Sequence, residues 1–299
     1  MKREYILNIN NTNQILGQKT WIMGVVNVTP DSFYDGGLFK DEGKAIERGL
    51  KLASAGADII DIGGESTRPG SESVSEEEEL QKTIPVISGI RKQTDILISI
   101  DTTKSNVARA ALDAGANIIN DISALRFDAQ MASIAVKYDA PVILMHMKGT
   151  PKTMQVNPEY KDVLSEVKSF LHDRIKIAMD CGIKKEKIII DPGIGFGKRF
   201  EDNIALINNL HVFNELNRPV LVGPSRKSFI GKILDLPPQQ RLEGTISTAV
   251  LSVIHGAHIL RVHDVESIKR AILVAETFIN HQILSGDSGK RKERNRRHV

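Results

Sequence analysis

The sequence predicts an α/β chain folded as a closed (β/α)8 TIM barrel with a short N-terminal hairpin. Eight short apolar runs each give way to a stretch with helical apolar spacing. The runs are continuous rather than alternating, as in a parallel sheet covered on its outer face by helices. Eight such units fit one barrel, which commonly spans about 250 residues, better than a doubly wound sheet.

Residues 4–18 alternate apolar and polar around Asn8–Asn13, the pattern of a small hairpin. This sets 1–18 apart from a barrel at 19–284. The strand candidates are Trp21–Val26, Ile59–Ile62, Ile96–Ile100, Asn117–Ile122, Val142–Met145, Lys187–Ile190, Val220–Val222 and Ala257–Val262. Helical patterns occupy 43–55, 75–92, 104–114, 127–138, 159–181, 201–216, 241–255 and 265–283. Ser75 before Glu76–Glu79 marks a helix start whose acidic first turn complements the dipole; Ser105 and Asp264 read as caps in the same manner. Residues 285–299 are basic, poor in apolar side chains and expected to be disordered.

Composition narrows the function. The net charge of +3 is misleading, because Lys290, Arg291, Lys292, Arg294, Arg296 and Arg297 face only Asp287 and Glu293 in the last segment, a local balance of +4. The remainder, at −1, gives no reason to expect a nucleic-acid partner. No apolar run approaches the roughly 18 residues of a membrane span, and MKREYILNINN lacks the apolar segment of a signal peptide. Cys181 is the only cysteine, which excludes an intrachain disulfide and fits a cytoplasmic location.

In a TIM barrel the active site lies at the C-terminal ends of the strands. Here those ends present Asn27, Asp61, Asp101, Asn120 with Asp121, His146, Asp191, Ser225-Arg226-Lys227, and Arg261 with His263. One or two polar ends are ordinary, but a full ring is a binding site. Any one of Asp101, Asn120 and Asp191 alone reads as a partner for a lysine or arginine, or as a cap. Together they match a ligand with several N–H donors along a flat edge, such as a 2-amino-4-oxo pterin or guanine ring. Lys227 can donate to its carbonyl, with a Schiff-base role as the competing reading. Arg261 and His263, two apart, share a strand face. They can hold phosphate, with Asn27, across the ring's closure, on an accompanying Mg²⁺. No His/Cys cluster of zinc type occurs, and His146 reads as structural. Loops Val28–Glu42 and Gly63–Val74 exceed the usual length of about 2–6 residues and carry the glycine and proline of movable covers.

Specific motifs add a family. NVTPDSF at 27–33, GGESTRPG at 63–70, SIDTTKSNVARAALDAGANIINDISAL at 99–125, ILMHMKGTPKTMQ at 143–155, IIIDPGIGFGK at 188–198, GPSRKSFIG at 223–231 and HILRVHDV at 258–265 together resemble dihydropteroate synthase. The resemblance implies condensation of 6-hydroxymethyl-7,8-dihydropterin diphosphate with p-aminobenzoate. It places Asp101, Asn120, Asp191 and Lys227 on the pterin, and Asn27, Arg261 and His263 on Mg²⁺ and the diphosphate. Thr67 and Arg68 would contact the diphosphate and aminobenzoate, and Phe33, Pro69, Phe196, Lys227 and Ser228 would shape the aminobenzoate site. Asp101 and Asp35 would offset cationic charge on the pterin. A homodimer is also implied. The alternative is a pterin-binding corrinoid methyltransferase domain, which needs neither diphosphate site nor aminobenzoate loops.

Overall fold

The structure, a computed structural model, describes residues 3–28, 38–66 and 70–294, without the side chains of 38–41 and 282–294. Strands β1 (Tyr5–Ile9) and β2 (Thr12–Leu16) pair antiparallel. Asn10 and Asn11 turn between them with φ of 49° and 59°, a left-handed pair that asparagine tolerates and two-residue hairpins require.

The barrel strands follow: β3 (Trp21–Asn27), β4 (Ile59–Gly63), β5 (Leu97–Asp101), β6 (Ile118–Asp121), β7 (Val142–Met145), β8 (Ile188–Asp191), β9 (Leu221–Val222) and β10 (Ile259–Val262). They pair in parallel in the order β8-β7-β6-β5-β4-β3-β10-β9. The ring closes between β8 and β9 through one bridge, Ile190 to Val220, with Ile190 N–H donating to Pro219 O at 3.0 Å. Helices α1 (Leu38–Ser54), α2 (Glu76–Arg91), α3 (Ser105–Asp113), α4 (Met131–Lys137), α5 (Val163–Asp180), α6 (Phe200–Asn208), α7 (Ser228–Leu234), α8 (Leu242–Ile254) and α9 (Val265–Arg294) connect and cover them.

Side-chain alternation divides the apolar residues in two. Outward positions such as Ile22, Ile60, Ile98, Ile100, Ile119, Leu144, Ile190 and Leu260 join the helices in the main core. Inward positions Met23, Ile59, Ile118, Ile143, Ile189, Leu221 and Ile259 form a second cluster with Leu7, Ile9 and Leu16 of the hairpin. The hairpin therefore plugs the N-terminal end of the barrel. Two polar contacts fix it there. The buried Lys187 ammonium donates to Asn8 Oδ1 at 2.9 Å and Asp139 O at 2.7 Å, and His258 Nε2 meets Arg3 O at 3.0 Å.

Several local expectations change. Ser75 caps α2, accepting from Glu78 N–H at 3.1 Å. Ser105 does not cap α3: it is the first helical residue, and its own N–H is held by Asp128 at 2.8 Å. The Asp264 carboxylate is occupied by Arg226 at 2.7 and 3.0 Å. The 201–216 helix breaks into α6 and a 3-10 segment, Leu210–Leu216, because Asn209 leaves helical geometry. Helix α7 had no counterpart in the sequence reading, since its seven residues are too short for a periodic signal. Helix α9 continues to Arg294 and takes in most of the segment expected as a tail; no proline between 265 and 294 stops it.

Candidate active site

The same alternation places the polar ring. On β4 the inward positions are Ile59, Asp61 and Gly63, and on β5 Leu97, Ser99 and Asp101. On β6 they are Ile118 and Asn120, on β8 Ile189 and Asp191, and on β10 Ile259 and Arg261, followed by His263. Each strand is apolar at the plugged end and turns polar two residues further on. The carboxylates are thereby held above an apolar floor, where charge is costly unless it is paired.

Arg261 supplies the pairing. Its Nε donates to Asp61 Oδ2 and its Nη2 to Asp101 Oδ2, each at 2.6 Å. Asn120 Nδ2 donates to the same Asp61 carboxylate at 3.3 Å. Burial raises the Asp101 carboxyl to about 7, with Arg261 opposing and Asp61 adding to the rise. Burial works against the charged guanidinium, yet Asp61 and Asp101 hold Arg261 even more firmly protonated than usual. Nη1 keeps no hydrogen-bond partner among the described residues.

Across the mouth, Asp191 Oδ1 accepts the Gly193 N–H at 2.7 Å, and burial raises this carboxyl to about 6 against the pull of Lys227, Lys198 and Arg261. Lys227 stands at the N-cap position of α7, its ammonium 4.2 Å from the centre of the Phe196 ring. Burial and then the Arg261 charge lower it to about 8. His263 Nδ1 pairs with Ser225 Oγ at 2.9 Å, and burial followed by Arg261 and Arg226 lowers the imidazole to about 3. His263 is thus a neutral hydrogen-bonding group, not a second positive charge. Asn27 ends β3, half-buried, beside Gly63. A small apolar cluster of Ile122, Met145, Met147, Met154 and Phe196 walls the mouth between the ends of β6 and β8. One side of the pocket is therefore a polar edge and another an apolar wall, the surroundings a flat polar heterocycle needs.

Comparison with known proteins decides the family. The sequence model described as pterin binding enzyme matches residues 23–263. A dihydropteroate synthase of Synechocystis is 49% identical over 263 residues, 88% of this chain and 91% of that protein. A Xanthomonas albilineans dihydropteroate synthase structure with 4-aminobenzoic acid is 43% identical, with a TM-score of 0.86 over 92% of this chain and 98% of its own. A second structure of that enzyme, in complex with 7,8-dihydropteroate, has a TM-score of 0.80 at 43% identity over 88% of this chain and 95% of its own.

The chain belongs to the pterin-binding enzymes, as a dihydropteroate synthase.

Measured against the expectations for a dihydropteroate synthase, Asp101, Asn120, Asp191, Lys227, Arg261 and His263 come together at the barrel mouth. Phe196 lies against Lys227 there, and Ser228, exposed, opens α7 next to it. Phe33, Asp35, Thr67, Arg68 and Pro69 lie outside the described residues. His146 is structural, its Nδ1 bonded to Lys198. Asp121 turns away from the pocket and binds Ser123 N–H and Leu125 N–H at 2.8 and 2.7 Å. The sequence reading passed over Asp61 as a partner of Arg261, Ser225 behind His263, and the Ile122–Met145 wall. Period-two counting from Ile59, Ile118 and Ile143 would have marked Asp61, Ile122 and Met145 as inward. Ser225 was visible as a strand-end residue, but nothing in the sequence marked its pairing with His263, 38 positions away.

Proposed function

We propose that this dihydropteroate synthase holds the pterin edge with Asp101, Asn120, Asp191 and Lys227, and the diphosphate with Arg261, His263 and Asn27. The observation that carries the reading is the convergence of these groups above the plugged barrel floor, with Arg261 tied to Asp101. The substrates are the pterin diphosphate and p-aminobenzoate, and the products 7,8-dihydropteroate and pyrophosphate. The relative solved with 7,8-dihydropteroate favours this over the corrinoid methyltransferase alternative.

The carbon–oxygen bond to the diphosphate breaks first, leaving a methylene cation conjugated with the dihydropterin. Arg261 and the His263 N–H stabilise the charge gathering on the leaving group. Asp101, as its carboxylate, offsets the charge on the ring, and Asp35 is assigned the same role on the strength of the motif. The aniline nitrogen then attacks the methylene, and the proton it sheds passes to solvent or to the released pyrophosphate.

Mg²⁺ fits as a substrate-borne cofactor. Among the described residues no group of three or more His, Cys, Asp or Glu side chains is placed to hold a metal ion by itself. Magnesium is commonly held through few protein oxygens plus substrate phosphates and water, and the Asn27 side-chain oxygen at the mouth suits that role. When bound it would neutralise charge on the diphosphate.

Two further assignments are part of this reading. A homodimer forms through α8 and α9, supported by Leu251, Ile254, Leu273, Val274 and Phe278, all exposed. The location is cytoplasmic, in keeping with one free cysteine and with the absence, among the described residues, of a helix able to cross a membrane.

Pyrophosphate release from the pterin diphosphate, followed with and without p-aminobenzoate, tests the chemistry. Both substrates together should give equimolar pyrophosphate and dihydropteroate, and Asp101→Asn should lose most of this turnover while remaining folded. No product from both substrates sinks the activity. Failure of single-turnover cleavage without aminobenzoate sinks only the order of bond breaking.

A further inference from the structure

Lys198 is a buried lysine with no carboxylate at salt-bridge distance among the described residues. It sits at the end of the loop after β8, and its Nζ donates to Gly193 O at 2.9 Å, Phe196 O at 3.0 Å and His146 Nδ1 at 2.9 Å. Three N–H donors meet three neutral acceptors, so the ammonium is saturated. The His146 nitrogen accepts, which leaves that imidazole neutral, and burial followed by the Lys198 charge lowers it to about 2. Two of the acceptors belong to the 193–196 turn and the third to the loop after β7. Lys198 therefore fastens one βα loop to its neighbour at the level of the active site.

The turn has a firm, backbone-wedged end and another held by side chains. There the Gly195 N–H donates to Asn203 Oδ1 at 2.6 Å, Gln155 Nε2 to Gly195 O at 2.8 Å and the Tyr160 hydroxyl to Gly197 O at 2.6 Å, beside the Lys198 contact. At the firm end, the Gly193 N–H is held by Asp191 two residues back, and Gly193, with φ +69°, sits where a Cβ would lie 1.9 Å from His146 O. That half is wedged by the backbone itself. At the other end, the Phe196 carbonyl is gripped by Lys198, and the Phe196 ring forms the surface under the Lys227 ammonium. Gly197, with φ +61°, passes so close to Lys148 O that a Cβ would lie at 2.5 Å. The ring has little other freedom once its backbone is set.

We propose that Lys198 is a positioning residue that acts through Phe196 to shape the aminobenzoate subsite, leaving the pterin side largely untouched. The inference rests on the assignment of Phe196 to that subsite. Burial lowers Lys198 to about 7 despite Asp191 and Asp202, since a dry place disfavours the charged form.

A double-mutant cycle between Lys198→Met and Phe196→Ala tests it, with KM for p-aminobenzoate, Kd for the pterin diphosphate and kcat measured for each variant. Loss of the charged hydrogen bonds should raise the aminobenzoate KM about tenfold in Lys198→Met, with the pterin diphosphate Kd within about twofold. Phe196→Ala should raise the same KM, and the double variant should resemble Phe196→Ala alone. Additive effects overturn the proposal. So does a Lys198 variant that weakens both substrates equally or lowers only Tm. If Phe196→Ala leaves the aminobenzoate KM unchanged, the assignment of Phe196 is what fails. Should Lys198→Met not fold, Lys198→Gln, which keeps two amide donors, carries the same cycle with a smaller expected rise.

Discussion

Arg261 serves two demands that normally conflict. On the proposed reading it binds an incoming anion, yet two carboxylates already hold it. Truncation therefore has two effects. Arg261→Ala should weaken diphosphate binding by about 1.5–3 kcal/mol, the usual worth of a charged hydrogen bond. It should also destabilise the fold, because buried carboxylates lose their cation. The second effect depends on pH. The Asp101 carboxyl already titrates high in the folded protein, and removing Arg261 raises it further. A carboxyl raised on folding costs stability as pH climbs from its unfolded value toward its folded one. The deficit against wild type, measured by urea denaturation, should be larger at pH 8 than at pH 5.5; equal deficits would sink this account. Strand-end counting made Asp101, Asn120, Asp191, Lys227, Arg261 and His263 legible in the sequence, because each ends or closely follows an apolar run. The Arg261–Asp61 pair was not, since β3 lies between β10 and β4 and the two side chains meet across the barrel interior.

At the scale of elements, the alternation of 4–18 gave away a hairpin but not its purpose. A strand pattern tells which residues share a face, not what the face meets. Leu7, Ile9 and Leu16 prove to be the barrel's floor. Lys187, read as the start of a strand, instead ends a 3-10 turn and sends its ammonium to the hairpin. Lys187→Met should cost roughly 2 kcal/mol, since Asn8 and Asp139 lose a buried donor. Turnover of the remaining folded enzyme should be unchanged, because the hairpin is at the opposite end from the chemistry. Hydrogen exchange of the β1 and β2 amides should quicken, and unaltered exchange there would show that Lys187 does not anchor the plug. Helix α7 teaches the converse: an element too brief to announce itself by periodicity sets where Lys227 stands.

At the scale of the molecule, the helical layer leaves α8 and α9 with apolar side chains in water, Phe278 at 70% exposure among them. A charge placed there should break an isologous contact with little effect on the protomer. On the proposed dimer, Phe278→Asp should sediment more slowly than the parent at the same concentration; identical sedimentation of the two would remove this face from consideration. The barrel's closure has another consequence. Along β3 and β4, residues from Met23 to Asn27 stand opposite Ile59 to Gly63, whereas β8 and β9 meet at one bridge. The cylinder thus has a weak staple, and its slow breathing should begin there, reporting through the amides of Ile190 and Leu221. Asp191 and Lys227 stand on opposite sides of that line, so one bound pterin would stitch them together. Amide exchange at these two positions should slow on pterin binding more than anywhere else in the sheet. A ligand assigned here to chemistry would then also be the last stave of the barrel.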